Sequence, residues 1–170
     1  MKKNTMKKLS GILFLLILRI GSLSAAQYDY YWYTFGCGPA SIDGPGRVGS
    51  VLRMSHQLDH RCHSIRTLLS TRPNSEELFE KAWEFAYLEG WSVFSNKSIV
   101  QLTAGAGLGL SGITLPDKKF KAFGIPVETQ LYFRINRSFG LGLYGYAHFN
   151  FKQNLYGLLF SLNIGKNLNK

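Results

Sequence analysis

From residue 27 onward the chain keeps returning to a two-residue alternation, the spacing that sends successive side chains to opposite faces of a strand. In the clearest run, Val100, Leu102, Ala104, Ala106, Leu108 and Leu110 share one face, while Gln101, Thr103, Gly105, Gly107, Gly109 and Ser111 share the other. Phe123, Ile125, Val127, Leu131 and Phe133 then oppose Gly124, Glu128, Gln130, Tyr132 and Arg134. Phe139, Leu141 and Leu143 oppose Tyr144, Tyr146 and His148, and Tyr156, Leu158, Phe160 and Ile164 oppose Gly157, Ser161 and Asn163. The first half repeats the pattern with Tyr31, Tyr33, Phe35 and Cys37, and then with Val48, Leu52, Met54 and Leu58 against Arg47, Arg53 and Gln57. Ile65, Thr67 and Leu69 against Ser64, Arg66 and Ser70, and Phe79, Trp83, Phe85 and Tyr87 against Ala82, Glu84 and Ala86, complete eight segments. "SEELFEKAWEF" also reads as a capped helix start at Ser75, but the alternation through Tyr87 favours a strand.

Eight strands of about ten residues or more, apolar on one face and polar on the other, predict an all-β, eight-stranded antiparallel up-and-down transmembrane β-barrel. Closure leaves no unpaired strand edge, which hydrocarbon would not tolerate. A soluble eight-stranded barrel has the opposite polarity, greasy within and charged outside. Here the strand charges lie opposite the large apolar residues, and Tyr31, Phe79, Phe123, Phe139, Phe149 and Tyr156 sit near segment ends, as an aromatic girdle would. With both termini on the periplasmic side, the outward loops are "SIDGPG", "TRPNSEE", "TLPDKKFK" and "FKQN".

The first 26 residues change the picture of charge. Four lysines, an apolar stretch from Ile12 to Leu18 and small residues before Gln27 read as a cleaved signal peptide, residues 1–26, followed by the barrel, residues 27–170. Of the 20 basic residues that segment holds five, and of the 10 acidic residues none, so the formal +10 falls to +5. The high charge is therefore no argument for nucleic acid.

The run "GIPVETQLYFRINRSFGLGLYGYAHFNFKQNLYGLLFSLNIGK" resembles the closing strands of small Gram-negative outer-membrane β-barrel proteins in the size class of OmpX and the OmpA membrane domain. The resemblance implies the cell outer membrane, outer-membrane lipid and the barrel assembly machinery as partners, no cofactor, and a structural or surface-interaction role. A narrow ion or small-solute channel and a lipid-modifying enzyme are the other activities of such barrels.

The alternation assigns the candidate chemistry. Arg53, Arg66, Glu84, Glu128 and Arg134 point inward, with Arg53 opposite Arg66 and Arg66 close to Glu84, and are expected to neutralise one another as a polar plug rather than a gate. Gly107, Gly109 and Gly112 spell G-x-G-x-x-G, but Pro116 and a lysine-rich turn follow instead of a phosphate-binding helix. Gly105, Gly107 and Gly109 are therefore expected to form an inward notch that lets lumen side chains cross. Lys118, Lys119 and Lys121 form a basic loop suited to surface-lipid phosphates. His56 and His63, expected to pair across a hairpin on the outer face, are weak metal candidates and no metal is expected. Cys37 and Cys62 fall on opposite faces of non-neighbouring strand ends and are expected as free thiols. His148 is placed inside near Tyr146 and Asn150, with no triad to join, so no catalytic residue is assigned. A monomer is expected.

Overall fold

All eight alternating runs are strands in the computed structural model, which describes residues 29–42, 46–72, 80–95, 99–114, 119–136 and 138–167. They are β1 (Asp29–Ser41), β2 (Arg47–Leu58), β3 (Arg61–Arg72), β4 (Glu80–Phe94), β5 (Val100–Thr114), β6 (Lys119–Arg134), β7 (Phe139–Phe149) and β8 (Leu155–Asn167). Each pairs antiparallel with its sequence neighbours, and β1 pairs with β8, closing the sheet. The expected signal peptide, residues 1–26, lies outside the described residues. The helical alternative fails at β4, where Glu84 is buried while Phe85 and Tyr87 stay exposed. Only a period of two carries Glu84 inward to meet Arg66.

The strands are strongly tilted, as their register shows. From Tyr31, a path across the sheet runs through His56, His63, Glu89, Ala106, Val127 and Ala147 to Tyr156. Yet the direct β8 partner of Tyr31 is Lys166, about ten residues farther along. Such a stagger forces the strands about 35–45° from the barrel axis, so each row of side chains climbs as it circles.

The turns follow from local chemistry. At one end β2 and β3 are joined by Asp59 and His60 alone, with Asp59 at φ 56°, a left-handed conformation that Asp tolerates better than most residues. The start of β1 and the end of β8 lie at this end, with the β2–β3, β4–β5 and β6–β7 connections of two, five and four residues; the four connections at the other end have five, seven, four and five.

The apolar face points outward. Leu108, Phe123 and Phe160 are 75 %, 79 % and 74 % exposed, whereas Arg53, Arg66 and Glu84 are wholly buried. That polarity is the reverse of a soluble barrel, and water would not sustain it over the whole circumference.

Several glycines are demanded by the neighbouring strand's backbone, Gly107 most sharply. A Cβ at Gly107 would collide with the Tyr87 carbonyl oxygen and come within 2.8 Å of the Leu88 Cα, both on the β4 backbone. At outward-facing Gly145 the nearest atom is the Thr129 methyl at 3.2 Å, a side chain that can shift. Gly107→Ala should therefore lose the heat-dependent gel shift of a refolded barrel, while Gly145→Ala keeps it.

Candidate functional site: a closed lumen

Four inward charges meet at mid-barrel because register places them there. Arg53 on β2 lies directly across from Arg66 on β3, so two guanidinium groups share one level of a narrow interior. Like charges so placed repel, and each is costly away from water unless an anion is in contact. Glu128 reaches across the lumen from β6 to Arg53, Oε1 to Nη2 at 2.6 Å, and its Oε2 lies 3.6 Å from Arg66 Nη1. Glu84 on β4 takes the other side of Arg66, which donates from Nε to Oε1 at 2.7 Å. The two carboxylates thus balance the two guanidiniums.

Neutral groups complete the cluster. Ser64 Oγ donates to Glu128 Oε1 at 2.9 Å, and the Tyr144 hydroxyl donates to Glu128 Oε2. Arg66 Nη1 donates to Tyr144 Oη at 3.1 Å, and Arg53 Nη1 donates to Gln130 Oε1 at 3.0 Å. Gln130 in turn donates to Asn163 Oδ1 at 2.6 Å, tying β6 to β8.

Apolar and aromatic side chains close the lumen on both sides of this layer. Toward the end away from the β1 start, Ile42, Val51, Leu68, Ile113, Leu155 and Leu159 belong to one buried cluster. Toward the termini, Tyr30 and Trp32 stack at 5.3 Å between ring centroids and pack with Cys62 and Phe94. Polar groups share these levels: Gln57, Ser92, Gln101 and Thr103 are buried and hydrogen-bonded to one another toward the termini, and Arg47, Ser70 and Ser111 are buried toward the other end, so side chains of both kinds occupy the narrow interior.

The structure redistributes several of the sequence-assigned residues. Arg134 does not join the network: its guanidinium lies 5.0 Å from the ring centroids of both Tyr30 and Phe94, near the terminal end. The same inward phase cannot distinguish depth along the barrel. Of the three glycines, Gly105 and Gly109 do border the lumen groups, with Glu128 Oε1 at 3.6 Å from a Cβ at Gly105 and His148 Cε1 at 3.1 Å from one at Gly109. Gly107 answers to the β4 backbone instead. Lys118 lies outside the described residues, and Lys119 and Lys121 belong to strand β6 rather than to a loop.

His148 acquires a carboxylate neighbour that phase alone had not revealed. Its Nδ1 stands 2.8 Å from Glu84 Oε2, with both side chains buried. The signal was available only through the stagger, which brings β7 and β4 side chains to one height across the lumen. Ser111 Oγ donates to the Ala122 carbonyl at 3.3 Å, and no serine is hydrogen-bonded to the His148 ring among the described residues.

His56 and His63 are directly paired on the outer face. Each also has its own partner: His56 Nε2 lies 2.8 Å from Asp29 Oδ1, and His63 Nδ1 lies 2.9 Å from Tyr87 Oη. Among the described residues no group of three or more ligating side chains is placed to hold a metal. Cys37 is exposed, Cys62 is buried, and both are free thiols.

No protein-family model matches the chain, nor does any curated protein. Solved structures do. Neisserial surface protein A superposes with a TM-score of 0.60 at 12 % identity, over 80 % of this chain and 96 % of that one. The N-terminal β-barrel domain of Pseudomonas aeruginosa OprF gives 0.59 at 8 % identity, over 83 % and 99 %. Ail, the attachment invasion locus protein of Yersinia pestis, gives 0.56 at 10 % identity, over 84 % and 99 %. The shared architecture is the small eight-stranded outer-membrane barrel, in the size class of OmpX and OmpA. At such identities the likeness establishes the fold.

The neutral cluster makes a quantitative prediction. Glu128→Leu leaves Arg53 buried without its main anion and should lower the unfolding free energy in detergent micelles by about 3–5 kcal/mol. Arg53→Met combined with Glu128→Leu should cost less than Glu128→Leu alone, because no unpaired charge then faces Gln130 and Cys62. Urea unfolding followed by tryptophan fluorescence measures both.

Proposed function

We propose that this protein is an integral outer-membrane barrel with a structural or surface-interaction role, and that its lumen does not conduct. The observation that carries this reading is the pairing of an apolar exterior with a closed interior. The exterior requires hydrocarbon around it, and the interior is filled by buried side chains: Leu68 and Leu159 on one side of the charge layer, and Trp32 with the hydrogen-bonded Gln57, Ser92 and Gln101 on the other. Export by the segment at residues 1–26 fits the same location, as does the two-residue β2–β3 turn at the end taken as periplasmic. The surface-exposed connections are then the parts free to meet other molecules, and the resemblance to a surface protein and to an attachment protein fits that use.

Channel activity has one favourable feature, the buried Arg and Glu residues, but those groups neutralise each other instead of lining an open passage. The His148 and Glu84 pair likewise lacks a hydroxyl nucleophile in contact and is sealed from lipid, so it reads as part of the plug. A deletion strain should keep its lipid A acylation unchanged.

Fractionation should place the protein with the outer membrane, and refolded protein should give flat current traces in planar bilayers. Discrete conductance steps that change in Arg53→Ala or Glu128→Ala would overturn the closed-lumen reading.

A further inference from the structure

We propose that Lys81, Lys119 and Lys121, gathered around Trp83 on the outer wall of β4, β5 and β6, bind the phosphate groups of an outer-leaflet lipid. The inference rests on the outer-membrane reading and its orientation, and it names a partner for one side of the barrel.

Register brings these residues together. Lys81 pairs with Thr114, which pairs with Lys119, and Trp83 pairs with Gly112, which pairs with Lys121. All three lysines share the outward phase of Phe85 and Phe123. A Cβ at Gly112 would overlap the Trp83 indole, so the ring lies across the glycine, and Lys121 Nζ stands 5.9 Å from the ring centroid. The outward positions that continue the Lys81 row around the barrel are Thr71, Val48 and Pro39. Within that row the positive charge is thus confined to Lys81 and Lys119.

Three cations on neighbouring strands repel one another, and none of them enters an ion pair with a carboxylate among the described residues. An anion supplied from outside would remove that cost. The depth of the patch says which kind. Phe123 lies two residues below Lys121 on the same face and is 79 % exposed, about 7 Å along the strand. Trp83 lies in the Lys121 row, and an indole with an apolar body and a polar N–H favours the headgroup boundary. The lysines thus stand just beyond the apolar belt and face sideways along it, where lipid phosphates lie, rather than upward toward soluble partners.

The test uses refolded protein in neutral detergent micelles and native mass spectrometry to count bound lipid A, dephosphorylated lipid A and heparin fragments, with inorganic phosphate as competitor. Wild type should retain lipid A in preference to the dephosphorylated form. The triple variant Lys81→Gln/Lys119→Gln/Lys121→Gln should bind lipid A about a hundredfold more weakly while keeping its heat-dependent gel shift. Lys166→Gln, at the terminal end, should bind as wild type does. Equal binding by wild type and the triple variant, equal binding of the two lipids, displacement by equimolar inorganic phosphate, or preferential capture of heparin would each overturn the proposal. Surface protease digestion in whole cells reports the orientation separately, so a failure of the outer-membrane reading is distinguishable from a failure of this site.

Discussion

Closure of the sheet, with its large stagger, is the constraint from which the rest of the structure follows. In hydrocarbon no water is available to an unpaired backbone amide, so the last strand must meet the first. Closing eight strands with this stagger fixes the tilt, the diameter and the height of every side chain inside. The β1 to β8 pairing thus does more than hide an edge. It decides which inward residues from remote strands face one another across the lumen.

The charge layer is the clearest product of that decision. Arg53 and Arg66 are neighbours by simple hairpin register and repel on their own. Their relief comes from Glu128, more than sixty residues on, and from Glu84, with Tyr144 and Ser64 satisfying what remains of Glu128. The cluster is tolerable only as a whole, since each charge removed strands another in a buried site. Buried side chains on both sides enclose that site, so the same packing that stabilises the barrel also argues against a conducting path. Outside, the large apolar side chains and the lysines of β4 and β6 divide the wall by depth into a hydrocarbon zone and a headgroup zone.

Much of this was legible in the linear chain. The eight strands, the phase of Arg53, Glu84 and Glu128, the His56 to His63 pairing and the separation of the two cysteines all depend on a period of two and on short turns, which are local. What sequence reasoning left out at several residues was height and the identity of remote neighbours. Arg134 has the right phase but the wrong height for the network. His148 has the right phase and a partner three strands away. Gly107 faces inward as expected, yet its constraint comes from the neighbouring β4 backbone. Leu68 and Leu159 also point inward, although an alternation read as apolar against polar did not foresee greasy layers there.

The sequence alone therefore determined the faces: which side chains meet lipid, which enter the barrel, and how adjacent strands are registered through their turns. Those are properties of neighbours along the chain and across one hairpin. Height within the barrel, and with it the Glu128 to Arg53 pair, the His148 to Glu84 contact and the lysine patch beside Trp83, was decided only by the tertiary structure. The physical reason is that tilt and stagger belong to the closed sheet as a whole and are written in no single strand.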